Sequence, residues 1–500
     1  MKKKLSTWLL VAVLAVASFL RLYNLEATQH FLGDQGRDSL IVAKILKEFD
    51  PVFIGPVTSI GNMYLGPLYY YFMAPWLWLS YPSPMGPIVA VAVIGILTVW
   101  LVYKLGKELV GKKPALLATI LYSFASTVVN LSRFSWNPNP APLFGLLTVY
   151  SLSRVWKGEA RHWLWLGVWI AVLSQLHYMH LLAVGAVGLV WLKMFFSKKL
   201  IPQRMRQIKF SLGAILIICL SAIPLVLFDI KHQGLNLQAF NDLVLSGGGI
   251  YHAGSSNALQ SAWQVISEMH GRTMGIMFEL FLGKVRWLNT LLIFVFGWGV
   301  WQWRQQNIKN SSLLIGLNLL LVMVGVGIVG TSLYGHSVFD HYISYLFPIV
   351  FLIYGLVLMG LWKWSILGKL MSLALLAWFI WFNVNTLSFK PAGWQINDLI
   401  ATSQTIAFRV GSNELYTIVL ISPSGDLHGM NYKYFLYTLG QEPLEFSRIE
   451  EAQTLFVINE FDVPYNLASS PVREIQVFPN LQPDEVYRMP GGPEIVVLRK

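Results

Sequence analysis

Four polar side chains crowd one short stretch of an otherwise greasy chain. In FLGDQGRDSL, residues 31–40, Asp34, Gln35, Arg37 and Asp38 fall within five positions. Carboxylates take protons or hold cations, and a guanidinium pairs with carboxylates or phosphates through a fixed fork of donors. Asp34 and Asp38, four apart, share a face if both are helical. Asp34, nearer the turn, is the better placed to point into a cavity. The plain alternative is an interfacial loop in which Asp34 caps a helix and Arg37 pairs with either aspartate. Further along, His177 and His180 in QLHYMH could bind phosphate or hydroxyl groups, or be satisfied groups at a helix end. His336, Asp340 and His341 in YGHSVFDHY have ligand chemistry for a divalent ion. Tyr64, Tyr69, Tyr70, Tyr71 and Trp76 could stack on a sugar, line a lipid groove, or form an interfacial belt.

The elements that must position these groups are read from hydropathy. Of 500 residues, 55% are hydrophobic and only 12% charged, about half the charged share of a soluble chain. Long apolar runs recur from residue 5 to residue 386, which predicts a polytopic α-helical membrane protein. About eleven runs approach the necessary length of roughly 20 residues: 5–23, 88–103, 114–131, 139–153, 163–176, 178–195, 210–228, 287–303, 312–331, 342–361 and 365–386. The first could be a cleaved signal segment, but its apolar stretch runs on to Arg21, which favours a retained span. The net charge of +12 sits in clusters between apolar runs, so it speaks for topology and against nucleic acid. Cys219 is the single cysteine and lies inside an apolar run, which rules out a disulfide framework or a cysteine metal site.

Segment 64–80 decides the sidedness. If it crossed the membrane, every later basic loop would fall outside. Laid along the interface, it puts the N-terminal lysines and loops 104–113, 154–162, 193–209, 304–309 and 363–369 on the cytoplasmic side. The polar motifs then gather outside: residues 24–63, SRFSWNPNP (132–140), QLHYMH, the long 229–270 loop and YGHSVFDHY. The helix-breaking WNPNP after Arg133 could expose backbone donors to a cavity. Leu40, Ile41, Ile45 and Leu46 recur at helical spacing and predict a short amphipathic helix on the membrane after Gly33 and Gly36.

Beyond about residue 387 the composition becomes polar. WQINDLIATSQTIAFRVG reads as a helix, and LYTIVLIS, TLFVINEFDV, REIQVF and EIVVLRK read as strands. PSGD and MPGGP read as turns. The expected organisation is a membrane domain over 1–386, with outer loop and interfacial helices at 24–81, followed by a small extracytoplasmic α/β domain over 387–500.

Taken in order, a first span, Asp-x-x-Arg opening an amphipathic helix, GPLYYYFMAP, SRFSWNPNPAPLF and FDHYISYLFPIVFLIYGL resemble the GT-C membrane glycosyltransferases. The resemblance is to the protein O-mannosyltransferase and aminoarabinose (lipid A) transferase group (glycosyltransferase family 39-like). It extends over residues 1 to about 386. It implies an inverting enzyme that moves a monosaccharide from a polyprenyl-phosphate carrier to a hydroxyl of a protein, lipid or glycan on the outer face. By that resemblance Asp34 is the catalytic base and Arg37 a phosphate partner, with Arg133, Lys231 and His341 as further cations. Asn137, His177, His180, Tyr64 and Tyr70 join the candidate substrate contacts. The reaction requires no cofactor, a divalent cation is an option, and no metal ligands are assigned. The chain departs from the family at Gln35, where an acid is usual, at Gly66 and Pro67, where a lysine is missing, and at Asn137 and Asn139, near the place of an aspartate.

Two other readings use lipid-linked sugars differently. A transporter or flippase needs ionisable groups at mid-membrane, whereas the charges here sit at the ends of the runs. A polysaccharide polymerase or ligase uses an arginine-rich outer loop, whereas 229–270 holds only Lys231 besides histidine. A non-catalytic scaffold, whose C-terminal domain binds a partner, is a third.

Overall fold

The computed structural model describes residues 2–500 except 59–62, 198–203, 246–257, 285, 412–413, 424–425, 471 and 491. Ser424 and Gly425 of PSGD, Gly491 of MPGGP and parts of loops 24–63, 193–209 and 229–270 therefore lie outside the described residues. Two compact units are formed. One comprises Met1–Tyr23, Val52–Tyr69 and Ile88–Ser388; the other comprises Asn24–Pro51, Tyr70–Pro87 and Phe389–Lys500. This grouping is not a linear division at residue 387, because two segments near the N-terminus pack with the C-terminal region.

The larger unit is helical. Each expected apolar run coincides with helix, and among the described residues six helices are long and apolar enough to cross a membrane: Met85–Leu109, Tyr178–Phe195, Arg204–Lys231, Ser311–Ser332, Asp340–Trp364 and Ile366–Thr386. The expected eleven is thus not reached by length and composition. Run 114–131 shows why. Ala125 takes an extended conformation and splits it into Lys112–Phe124 and Ser126–Leu131, each too short to cross alone. The break frees the Ser126 N–H, which donates to Asn383 Oδ1 at 2.7 Å. The Asn383 amide in turn donates to Phe281 O at 3.0 Å, so the interruption leaves these buried groups paired.

Phe347–Trp364 is buried along nearly its whole length and packs against Lys112–Phe124 and Arg286–Gln306. Gly355 lies against the Pro114 carbonyl so closely that no side chain fits. Small residues of this kind let apolar helices approach where lipid offers no hydrophobic drive. The expected 229–270 loop is instead partly helical, with Leu235–Leu245 and the start of Ala258–Met274, which a π-helical turn Gly275–Glu279 follows.

In the second unit, Gly33–Glu48 forms a 16-residue helix with Asp34 in its first turn and Lys47 in its last, both favourable to the helix dipole. Gln35 closes the start, its Oε1 accepting from Leu32 N at 3.2 Å. Gly36 faces the backbone of Met430 and Asn431, so the helix packs closely on Met430–Thr438.

The sheet has four strands, β1 (Tyr416–Ile421), β2 (Thr454–Asn459), β3 (Glu485–Arg488) and β4 (Glu494–Arg499), in the order β1-β2-β4-β3. β1 and β2 run parallel and the other pairs antiparallel. β1, β2 and β4 are buried along most of their length, matching their unbroken Val and Ile runs. REIQVF, expected as a strand, is not one: Arg473–Gln476 is a short helix. Ile475 and Phe478, three apart, both enter the core beneath the sheet, a helical spacing that alternation cannot supply.

Candidate active site

The Asp34 carboxylate stands in the first turn of Gly33–Glu48 with its side chain 51% exposed. Arg37, one turn on, donates from Nη1 to Asp34 Oδ1 at 2.8 Å. Its Nε and Nη2 both donate to Asp38 Oδ1, at 2.9 and 2.8 Å. Asp38 is buried, and so is Tyr70, whose hydroxyl hydrogen-bonds in the same cluster. Burial pushes the Asp38 carboxyl up to about 6 against the opposing pull of Arg37. Burial would lower Arg37, but Asp38, Tyr70 and Asp34 together hold it above its ordinary value. The Tyr70 phenol is raised well above its ordinary value, first by burial and then by Asp38. The result is a guanidinium clasped from below by a buried carboxylate and touching an exposed one. Gly33 lies so close to the Asp426 carboxylate that no Cβ fits between them. A second acid from the C-terminal region therefore sits at the start of this helix.

The sequence favoured Asp34 over Asp38 as the residue pointing into a cavity; the fold buries Asp38 against Arg37. The other partner of Asp38, Tyr70, comes from a different segment, so only the fold brings them together. Tyr70 was a candidate for substrate contact; here it supports Asp38 and Arg37.

The larger unit gathers the histidines. His177 accepts from Met179 N at 3.2 Å and begins the 3₁₀ turn Tyr178–Leu181. His180 is fully buried with Nε2 3.3 Å from His341 O. The His341 ring lies 5.6 Å from His177 and 4.3 Å from Trp136 between centroids. Asn137 donates to Leu176 O, the last residue of helix His162–Leu176. The Tyr64 amide donates to Asn236 Oδ1 at 2.6 Å, and its carbonyl accepts from the Tyr178 hydroxyl. His177, Tyr178, Tyr334 and Tyr342 line a cavity of about 360 Å³ whose remaining wall is mostly apolar. Such a cavity suits an amphiphile.

Two expected cations are placed otherwise. Arg133 is buried and donates to Leu20 O at 2.8 Å and Tyr23 O at 2.9 Å, closing the end of helix Lys2–Leu22. Lys231 is exposed at the end of Arg204–Lys231. Arg21, read in the sequence only as the end of the first apolar run, is fully buried and donates to Ser123 O at 3.2 Å. Among the described residues, no group of three or more His, Cys, Asp or Glu is gathered to hold a metal ion.

A family model for dolichyl-phosphate-mannose-protein mannosyltransferase matches residues 65–228. Crystal structures of ArnT from Cupriavidus metallidurans are similar over nearly the whole chain. The undecaprenyl-phosphate complex has a TM-score of 0.57 at 12% identity, covering 97% of each chain. The apo state gives 0.58 at 12% identity, covering 99% of this chain and 98% of that one. The chain has the GT-C glycosyltransferase fold. A more distant GT-C structure is the archaeal oligosaccharyltransferase AglB from Archaeoglobus fulgidus, in complex with an inhibitory peptide and a dolichol-phosphate. It gives a TM-score of 0.50 at 13% identity, over 91% of this chain and 70% of that one. No curated protein matches the sequence. The resemblance read from motif order thus agrees with both the family match and the GT-C fold.

Proposed function

We propose that this membrane protein is an inverting glycosyltransferase that moves a monosaccharide from a polyprenyl-phosphate carrier to an acceptor hydroxyl on the outer face. The observation that carries the reading is Asp34, half exposed in the first turn of its helix and paired with a guanidinium three residues on. In the proposed step the acceptor hydroxyl gives its proton to Asp34 while its oxygen attacks the anomeric carbon. The bond from that carbon to the lipid phosphate breaks on the opposite face, and its electron pair leaves on the phosphate oxygen. Arg37 is the cation offered to the charge that develops there. The lipid phosphates bound to ArnT and AglB are the same class of leaving group. No cofactor takes part, and a divalent cation would enter only as a further counter-ion to the phosphate. In this reading residues 387–500 lie outside with the acceptor, and the N-terminus is cytoplasmic.

Asp34→Asn tests the assignment in purified protein supplied with a labelled polyprenyl-phosphate sugar. Loss of a base predicts a fall of roughly 10²–10⁴-fold in transfer, with expression and melting unchanged. Full transfer by the variant would overturn the reading. A flippase would instead move labelled lipid across vesicles whether or not Asp34 is present.

A further inference from the structure

The larger unit holds a second cavity that the proposed reaction does not use. It measures about 460 Å³ and lies among helices His162–Leu176, Leu182–Phe195 and Arg204–Lys231, with Ile170, Val184, Gly188 and Ile215 on its walls. That volume is within the range of small-ligand pockets. Leu212 and Ile215 on its rim are more than half exposed, as side chains facing hydrocarbon would be. At one end the wall changes character. Trp163, Trp191 and Ile208 line both this cavity and a small adjoining one that also contains Arg204 and Gln207.

Gln207 is 7% exposed. Its Oε1 accepts from Trp163 Nε1 at 2.7 Å, but its buried Nε2 has no partner among the described residues. The buried Nε of Arg204 has none either, and its guanidinium stacks over Phe195 at 5.0 Å. Both atoms are N–H donors, and one belongs to a cationic guanidinium. Buried donors without acceptors are costly, so a trench ending in them fits a ligand with an apolar chain and an anionic, acceptor-only head.

We propose that this groove seats one acyl chain of an anionic glycerophospholipid, with its phosphodiester taken by Arg204 and Gln207. The site belongs to the larger unit alone and does not depend on the transfer reaction. Its consequence is that the three helices are completed by a specific lipid.

The test uses full-length protein reconstituted in phosphatidylcholine nanodiscs with and without phosphatidylglycerol, then native mass spectrometry to count retained lipids. Wild type should keep one phosphatidylglycerol. Gly188→Phe should lose it, because Gly188 lines the groove and a Cβ there meets nothing within 4 Å, so the ring takes space the acyl chain would occupy. Arg204→Gln combined with Gln207→Leu should weaken retention by about tenfold or more while leaving phosphatidylcholine retention unchanged. If the double variant fails to fold, Gly188→Phe alone decides. The same count in Gly188→Phe as in wild type overturns the proposal. So does equal retention of phosphatidylcholine, or a polyprenyl phosphate displaced by that substitution in place of the phospholipid.

Discussion

Asp38→Asn separates the grip on Arg37 from the chemistry of Asp34. Arg37 spends Nε and Nη2 on one oxygen of Asp38 and only Nη1 on Asp34. An asparagine keeps the shape and an acceptor oxygen but removes the charge from a pair that is nearly buried. Charge-assisted bonds of this kind contribute about 1.5–3 kcal/mol each, and two share one oxygen, so about 3 kcal/mol of orienting energy is at stake. If most of it is felt in the transition state, transfer falls by roughly 10²-fold. Stability moves the other way. The Asp38 carboxyl rises from its ordinary 3.8 to about 6 on folding, so the native state binds its proton more tightly than the unfolded chain. The stabilisation from that proton is complete below about pH 4, is lost between pH 4 and 6, and changes no further above 6. It amounts to about 3 kcal/mol. In wild type, therefore, melting temperature should fall across that window from this group while transfer rises as Asp38 ionises. Asp38→Asn should flatten both trends. The assay is transfer rate and detergent melting of both proteins from pH 4.5 to 8. Parallel wild-type and variant profiles in both measurements would refute the reasoning.

Tyr70→Phe removes a hydrogen bond that lowers the Asp38 value, so the acid limb of the transfer profile should move to higher pH; an unmoved limb in a pH–rate series would contradict this. Gly36→Ala places a methyl on the backbone of Met430 and Asn431, and should cost about 1–3 kcal/mol in unfolding and lower kcat by displacing the helix of Asp34. Gly355→Ala meets the Pro114 carbonyl in the larger unit, and should lower melting by a similar energy of about 1–3 kcal/mol while leaving the pH–rate profile unchanged.

The helices of the larger unit were legible because hydropathy alone marks them; where the reading failed, packing had overridden the pattern. Ala125 interrupts a run that is apolar throughout, and the break is stabilised by Asn383, more than 250 residues away. The helices within 229–270 are amphipathic, so they read as loop. REIQVF is rich enough in Val and Ile for a strand, yet the core takes Ile475 and Phe478 from one side of a turn. Of the candidate site, Asp34 and Arg37 could be read because they lie three apart on one short helix. Asp38 could not be ranked above its neighbours, since its burial depends on Tyr70 and on helix Met430–Thr438. His177, His180 and His341 were each visible, but their meeting requires two chain segments 160 residues apart to fold together.

The arrangement around Arg37 bears on how a single exposed acid could serve. An i,i+3 pair between Asp34 and Arg37 at a surface would contribute little and would leave the guanidinium free to wander. Asp38 changes this by fixing two of its nitrogens in a buried pair and supplying one counter-charge. Arg37 is then held in place with its charge largely balanced, and the contact to Asp34 becomes the exchangeable one. An incoming phosphate could take Nη1 from Asp34 without unseating the side chain. Release of that bond leaves the Asp34 oxygen free to accept from an acceptor hydroxyl as the phosphate binds. Gln35 caps the helix where an acid is usual, its Oε1 accepting from Leu32 N. In the proposed reaction the buried aspartate supplies the orienting charge, while the exposed one is kept for the proton.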